Sequence, residues 1–179
     1  MVFRVAACGP AGSGKTNLLW RLHSQLPVVE RGELVVRPVG ADQIVSFECS
    51  APDLVPKGEY RAKLHLVTIP GRIANADVWR RIMTDVDGII FVADSQFERI
   101  GDNSDSLHSL AELTGIGDVP LVFIYNKRDL PNCAPLEYLD YVLNTAQPRL
   151  ARFEGVLTAG QGASEALSAL SALILKHAG

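Results

Sequence analysis

The chain has 179 residues, 47 % hydrophobic and 21 % charged, which suits one globular domain with a substantial core. Lys+Arg 17 against Asp+Glu 20 leaves a formal net charge of −3, so nothing favours nucleic acid as a bulk partner. Cys8, Cys49 and Cys133 are scattered; they form neither a disulfide framework nor a zinc pattern and fit a reducing cytoplasm.

In chain order, Val2 to Cys8 reads as a strand that begins at once, so no signal peptide is expected. Gly9-Pro10-Ala11-Gly12-Ser13-Gly14-Lys15-Thr16 follows, a G-x-x-x-x-G-K-T phosphate-binding loop between that strand and a helix running from Lys15 to about Leu26, where Pro27 stops it. Its glycines let the backbone N–H groups of Ala11 to Asn17 turn toward a polyphosphate, and the new helix adds free amides and the positive end of its dipole. Lys15 would place its ammonium on the β- and γ-phosphates, and the Thr16 hydroxyl would ligate Mg²⁺. Glu33 to Arg37 reads as a short strand closed by Pro38 and Gly40, and Ile44 to Cys49 as an alternating strand. Ser50 to Glu59 reads as a turn, and Arg61 to Ile69 as a strand that pairs with 44–49 in an antiparallel hairpin at a sheet edge. Pro70-Gly71 breaks it, and a polar stretch runs to about Asp85.

Gly88 to Ala93 is a continuous apolar run, as in a strand buried on both faces of a parallel sheet. Residues 103–114 read as a helix with Leu107, Leu110, Ala111 and Leu113 inward. Val119 to Tyr125 is a second buried strand, Pro135 to about Thr145 a helix with proline in its first turn, and Phe153 to Thr158 a short strand. Residues 163–176 form the last helix, with Ala166, Leu167, Leu170, Leu173 and Ile174 inward. Strand–helix alternation gives an α/β, mostly parallel sheet of the P-loop NTPase kind, helices on both faces and ligands at the carboxyl ends of the strands. No apolar run approaches membrane-spanning length, and neither end shows a lipidation motif, so no intrinsic membrane anchor is expected. His23, His65, His108 and His177 are dispersed and read as structural or surface residues.

Asn126-Lys127-Arg128-Asp129 follows the second buried strand directly. Asp129 there can accept from the guanine N1–H and 2-amino group, whereas adenine would leave a buried carboxylate unpaired. The Lys127 stem can cover the base, and Asn126 can tie this loop to the phosphate loop. A plain polar turn explains the residue types but not their place after a phosphate loop and a buried strand.

With both motifs in place the chain resembles the Ras-like small GTPases over essentially its whole length, and within them the bacterial gliding-motility and cell-polarity GTPases. Leu66 to Gly71, Val92 to Arg99 and Tyr125 to Asn132 carry the closer match; the middle stretch also resembles the Arf branch. The resemblance implies a six-stranded sheet in a single G domain, a Mg²⁺–guanine-nucleotide site for GTP and GDP, and two nucleotide-sensing switch loops. It also implies a cytoplasmic molecular switch with an effector and a roadblock-type regulator acting as a GTPase activator.

Against that pattern, the acidic residue of D-x-x-G is Thr68, in Thr68-Ile69-Pro70-Gly71, while Gly71 still offers its N–H to a γ-phosphate. Arg72 stands where a glutamine orients the attacking water; it cannot accept a hydrogen bond from that water, so it either places charge on the γ-phosphate or points to solvent. The threonine of the first switch has no counterpart; Asp42-Gln43 lies nearest by position, with Asp42 either meeting the metal or repelling the γ-phosphate, and Arg37 is a switch-borne catalytic candidate. Asp94 either reaches toward the phosphate loop or caps the next turn, and Val156-Leu157-Thr158, at the end of the last strand, corresponds to the loop whose amides contact the guanine oxygen. Binding should survive and hydrolysis should be slow and partner-dependent. The alternatives are a nucleotide-binding scaffold that barely turns over and a P-loop kinase for a small molecule, for which no Arg-rich lid is visible.

Overall fold

Two-residue periodicity along buried strands sorts the chain's apolar residues onto two faces of one sheet. The computed structural model describes residues 1–50, 62–72, 76–114 and 119–178. Strands β1 (Val2–Cys8), β2 (Val35–Val39), β3 (Asp42–Ser50), β4 (Lys63–Thr68), β5 (Gly88–Asp94), β6 (Leu121–Asn126) and β7 (Arg152–Glu154) form a sheet in the order β2-β3-β4-β1-β5-β6-β7. β1 pairs in parallel with β4 and β5, and β5–β6–β7 continue in parallel. β3 runs against both of its neighbours. The sheet thus has seven strands where the family pattern implies six; the additional one is the short edge strand β2, joined to β3 by the two-residue turn Gly40-Ala41.

Every residue of β5 is buried. Ile90 and Val92 face one core with Leu18, Leu19 and Leu22 of α1 (Lys15–Gln25) and Ala166, Leu167, Leu170 and Ile174 of α5 (Ala163–Ala178). Ile89, Phe91 and Ala93 face the other, with Trp79 and Met83 of α2 (Ala76–Met83), Leu110 of α3 (Ile100–Thr114) and Leu139 and Leu143 of α4 (Leu136–Leu143). Doubly covered strands of this kind read as unbroken apolar runs because both faces lose water. The Tyr125 hydroxyl on β6 donates to Asp140 on α4 at 2.9 Å, and Arg152 Nε reaches the same carboxylate at 2.7 Å, which pins α4 to the sheet.

Several elements differ from the sequence reading. β2 is shifted two residues toward Val39 and includes Pro38, which an edge strand tolerates because one side needs no ladder donor. The 44–49 and 61–69 segments pair antiparallel as expected, but β2 takes the edge. α2 lies within the stretch read as polar. α3 starts three residues early because the 3-10 turn Phe97–Arg99 runs straight into it, and its buried side is Asn103, Ser106 and Leu110, with Leu107 half-buried and Ala111 exposed. Leu173 of α5 is exposed rather than inward. The strand expected over Phe153 to Thr158 is only Arg152–Glu154. The turn read at Ser50 to Glu59, apart from Ser50 in β3, and the inward place given to Leu113 lie outside the described residues.

Candidate nucleotide site

The carboxyl ends of β1, β4, β5 and β6 converge on one edge of the sheet, and the sequence motifs sit on the loops that leave them. After β1 the chain turns through Gly9 to Gly14, and Gly14 caps α1 with φ at 115°. A Cβ on Gly14 would stand 2.3 Å from Asn126 Nδ2, so the position admits only glycine on both counts. The N–H groups of Gly12, Gly14, Lys15 and Thr16 find no backbone acceptor among the described residues, as expected where a helix begins. Lys15 is 8 % exposed and donates from Nζ to the carbonyls of Gly9 and Pro10, 2.8 Å each. Burial pushes its pKa down to about 8, while Cys8 and Asp42 pull the other way. The Ser13 hydroxyl is buried with no hydrogen-bond partner among the described residues.

A cavity of about 230 Å³ opens between this loop and a second wall made of Asp42, Gln43 and Thr68 to Gly71. Gly71 rests on the phosphate loop: a Cβ there would come within 2.5 Å of the Ala11 backbone and 2.9 Å of Lys15 Nζ. Trp79, the largest fully buried side chain, holds this turn from beneath, its indole N–H donating to the Pro70 carbonyl at 2.8 Å. The Thr68 hydroxyl accepts the Val45 N–H at 2.8 Å and so fastens β3 to β4. Asp42 places Oδ1 4.0 Å from Arg72 Nε and keeps Oδ2 buried without a partner among the described residues. Arg72 is itself 61 % exposed and stands at the rim. Arg37 lies mid-strand on β2, exposed, opposite Ile44, and does not line the cavity.

The base-side loop is tied to the phosphate loop directly. Asn126 is buried; its Nδ2 donates to the Ser13 carbonyl at 2.8 Å and its Oδ1 accepts the Leu157 N–H at 2.9 Å. Lys127 has φ at 66°, a left-handed conformation that costs a non-glycine residue roughly 1–2 kcal/mol. Two contacts oppose that cost: Nζ meets the fully buried Asp94 at 2.6 Å, and the Lys127 carbonyl accepts the Leu130 N–H at 3.0 Å. Asp94 takes the capping role directly and meets the phosphate loop only through an intermediary. It caps the following turn through the Gln96 N–H at 3.1 Å, and it reaches the phosphate loop through Arg99, whose Nε lies 3.7 Å from Asp94 Oδ2 and whose Nη2 donates to the Ala11 carbonyl at 2.5 Å. Asp102 also pairs with Arg99. The sequence reading gave Arg99 no role; its three-residue spacing from Asp102 was too local a clue, and its partner Ala11 is 88 positions away.

Asp129 is exposed at the mouth of this loop. Leu157 and Thr158 lie in the turn after β7, not in the strand: Leu157 is buried with its N–H bonded to Asn126, and Thr158 is exposed, its carbonyl accepting from Arg21. The structure therefore gathers Ala11 to Asn17, Gly71, Asn126, Lys127 and Leu157 around one edge, and leaves Arg37 apart.

The description "Arf: ADP-ribosylation factor family" matches residues 56–174. The chain belongs to the ADP-ribosylation factor family. It is a Ras-like small GTPase and binds guanine nucleotide as that family does. It is similar to the mutual gliding-motility protein MglA of Myxococcus xanthus, 29 % identical over 96 % of this chain and 90 % of the relative. It is also similar to human ADP-ribosylation factor-like protein 4C, 28 % identical over 63 % of this chain and 62 % of the relative. Human ADP-ribosylation factor-like protein 4A is 25 % identical over 79 % of this chain and 66 % of the relative. Among the described residues of this GTPase no helix is long and apolar enough to cross a membrane, and the described cysteines are free.

Proposed function

We propose that this GTPase is a molecular switch, one G domain over residues 1–179, that binds GTP and GDP with Mg²⁺ and hydrolyses GTP slowly until a partner stimulates it. The observation that carries the reading is the Asn126 bridge, which ties the base loop to the phosphate loop through two buried hydrogen bonds. In this reading the amides of Ala11 to Asn17 and the Lys15 ammonium hold the phosphates, and the Thr16 hydroxyl binds the cation. Bound Mg²⁺ would offset charge on the β- and γ-phosphate oxygens. Asp129 selects guanine, Lys127 covers the base, and the turn at Leu157 and Thr158 faces its exocyclic oxygen. The Gly71 N–H senses the γ-phosphate, so that residues near 37–48 and 70–83 differ between nucleotide states.

Slow hydrolysis follows from the residues at hand. Arg72 cannot orient water as a glutamine would, and Thr68 is occupied by Val45. Arg72 is within reach of the cavity rim and is the better placed of the two catalytic candidates; Arg37 would have to leave an edge strand to take part. The likeness to the gliding-motility protein supports a cytoplasmic role in cell polarity or motility, with a roadblock-type activator and a downstream effector as partners. The second reading, a nucleotide-binding scaffold with negligible hydrolysis, is favoured by the Thr68 hydroxyl being taken by the Val45 N–H and by an arginine standing where a glutamine would orient water.

Calorimetry with GDP and GTP in the presence of Mg²⁺ tests binding, and Asp129→Asn tests the base assignment. The variant should shift preference from guanine toward xanthine nucleotides; retained preference for GTP would refute the assignment. Single-turnover hydrolysis by the protein alone should stay on the order of 10⁻³ s⁻¹ or below. A rate of several per second without a partner would contradict the reading.

A further inference from the structure

We propose that the groove between α3 and α4 is a docking site for a partner protein, one that offers a helix apolar on one side and flanked by lysine or arginine. The groove lies apart from the phosphate cavity, and the proposal does not depend on the nucleotide reading.

The groove follows from how the two helices cover the sheet. α3 buries Asn103, Ser106 and Leu110, and α4 buries Leu139, Asp140 and Leu143. The next apolar positions around each helix are turned off the sheet. On α3, Leu107 and Ala111 stand one turn apart, as Tyr138 and Val142 do on α4. Leu107, Ala111 and Val142 line a cavity of about 330 Å³ whose floor includes Phe123 and Leu150.

The apolar strip continues beyond the cavity along α4. The Tyr138 ring meets Phe97 of the 3-10 turn, with centroids 5.9 Å apart. Phe97 is 47 % exposed, Tyr138 44 %, and Tyr141 on the outer side of α4 75 %. Aromatic rings standing in water beside a cleft are the kind of residue from which protein interfaces draw most of their affinity. A partner helix laid along the strip would meet it with anchors one turn apart.

The polar groups decide the class of partner. The Asn144 amide in the lining is already satisfied: Nδ2 donates to the Leu150 carbonyl at 2.8 Å and Oδ1 accepts the Leu150 N–H at 2.9 Å. It is therefore not free to orient a small polar ligand. The charges on the walls are of one sign. Neither α3 nor α4 carries a lysine or arginine, while Asp105 and Glu112 are exposed on α3, each one residue on from a groove position, Ser104 and Ala111. Glu98 is exposed next to Phe97, and Glu137 next to Tyr138. Two flanking cations are already paired, Arg99 with Asp94 and Asp102 and Arg149 with Asp140 at 3.5 Å. An apolar strip with acidic borders attracts a basic partner. It repels nucleic acid, an anionic bilayer surface and the same face of a second copy.

The test titrates the full chain against a fluorescent synthetic amphipathic helix of leucine and lysine, and against its counterpart with glutamate for lysine, by anisotropy. Wild type should bind the lysine peptide at least about tenfold more tightly than the glutamate peptide, and less tightly as salt rises. Ala111→Lys, which fills the groove, and the pair Asp105→Lys with Glu112→Lys, which reverses its border, should each weaken that binding at least about tenfold. Glu165→Lys, exposed on α5 across the sheet, should leave it unchanged. All these positions are exposed, and urea unfolding checks that each variant is folded. Equal affinity of wild type for the two peptides overturns the proposal, as does full binding by Ala111→Lys or an equal loss in Glu165→Lys. So does co-sedimentation of wild type with phosphatidylserine vesicles that Ala111→Lys abolishes, which would mean a lipid surface. A dimer in sedimentation velocity that Ala111→Lys dissolves also overturns it, in favour of a second copy.

Discussion

Asn126 offers the most direct measure of how the two ends of the site are joined. Its amide makes two buried hydrogen bonds, to the Ser13 carbonyl at 2.8 Å and from the Leu157 N–H at 2.9 Å. A buried hydrogen bond contributes roughly 0.5–1.5 kcal/mol net, and the loss is larger when the remaining partner is left dry and unpaired. Asn126→Ala strands two such partners at once, so a loss of about 3 kcal/mol of stability is expected. For a chain of this size that lowers Tm by roughly 6–12 °C. Asn126→Asp keeps the acceptor for Leu157 but sets a carboxylate oxygen against the Ser13 carbonyl, so it should lose at least as much while filling the same volume. Urea denaturation of the nucleotide-free protein reads the stability, and release of a fluorescent GDP reads the site; both variants should release it faster. Ser24→Ala, whose hydroxyl donates only to the Arg21 carbonyl at 2.9 Å on the exposed side of α1, serves as the control and should stay within about 0.5 kcal/mol of wild type. A loss below about 0.5 kcal/mol for Asn126→Ala, with normal GDP release, would show that the bridge does not hold the loops together.

Lys15 gives a pH dependence. Its pKa in the free protein is lowered to about 8 by burial, and phosphate oxygens beside the ammonium would raise it. The bound-state pKa is then the higher one, so the Lys15 contribution to GDP affinity is fully present below about pH 8 and is lost as pH rises through and above that value, by up to tenfold per unit. Calorimetry across that window should show proton uptake on binding; a flat profile refutes it. Asp94→Asn removes the carboxylate shared by Lys127 and Arg99. Because both cations are about one-third exposed and can be rehydrated, about 2 kcal/mol is the most it should cost, or about 30-fold in GDP release rate. Trp79→Phe removes the donor to the Pro70 carbonyl and should destabilise by about 1 kcal/mol, with GTP affinity weakened more than GDP affinity because the turn it holds carries Gly71. No change in either stability or GTP affinity would mean the indole is only filling space.

The sequence made the site more legible than the frame around it. Gly14, Lys15, Thr16, Asn126 and Asp129 belong to local motifs recognisable by spacing, and the expected tie of Asn126 to the phosphate loop is present. What escaped was non-local or masked by charge. In α2, Val78, Trp79, Ile82 and Met83 keep helical spacing, but Asp77, Arg80 and Arg81 between them make the segment read as polar. Arg99 and Asp94 acquire their partners only when the end of β5 is folded against the phosphate loop and the base loop, at separations of 88 and 33 residues. The occupation of Thr68 by the Val45 N–H likewise depends on the register of β3 against β4, which no residue type announces.

Arg99 sits at the end of an exposed 3-10 turn and yet grips the Ala11 carbonyl, while its carboxylate neighbour Asp94 also anchors Lys127. A displacement of that turn from the solvent side would therefore be passed to the loop at Ala11 and the loop at Lys127 at once, through one buried carboxylate.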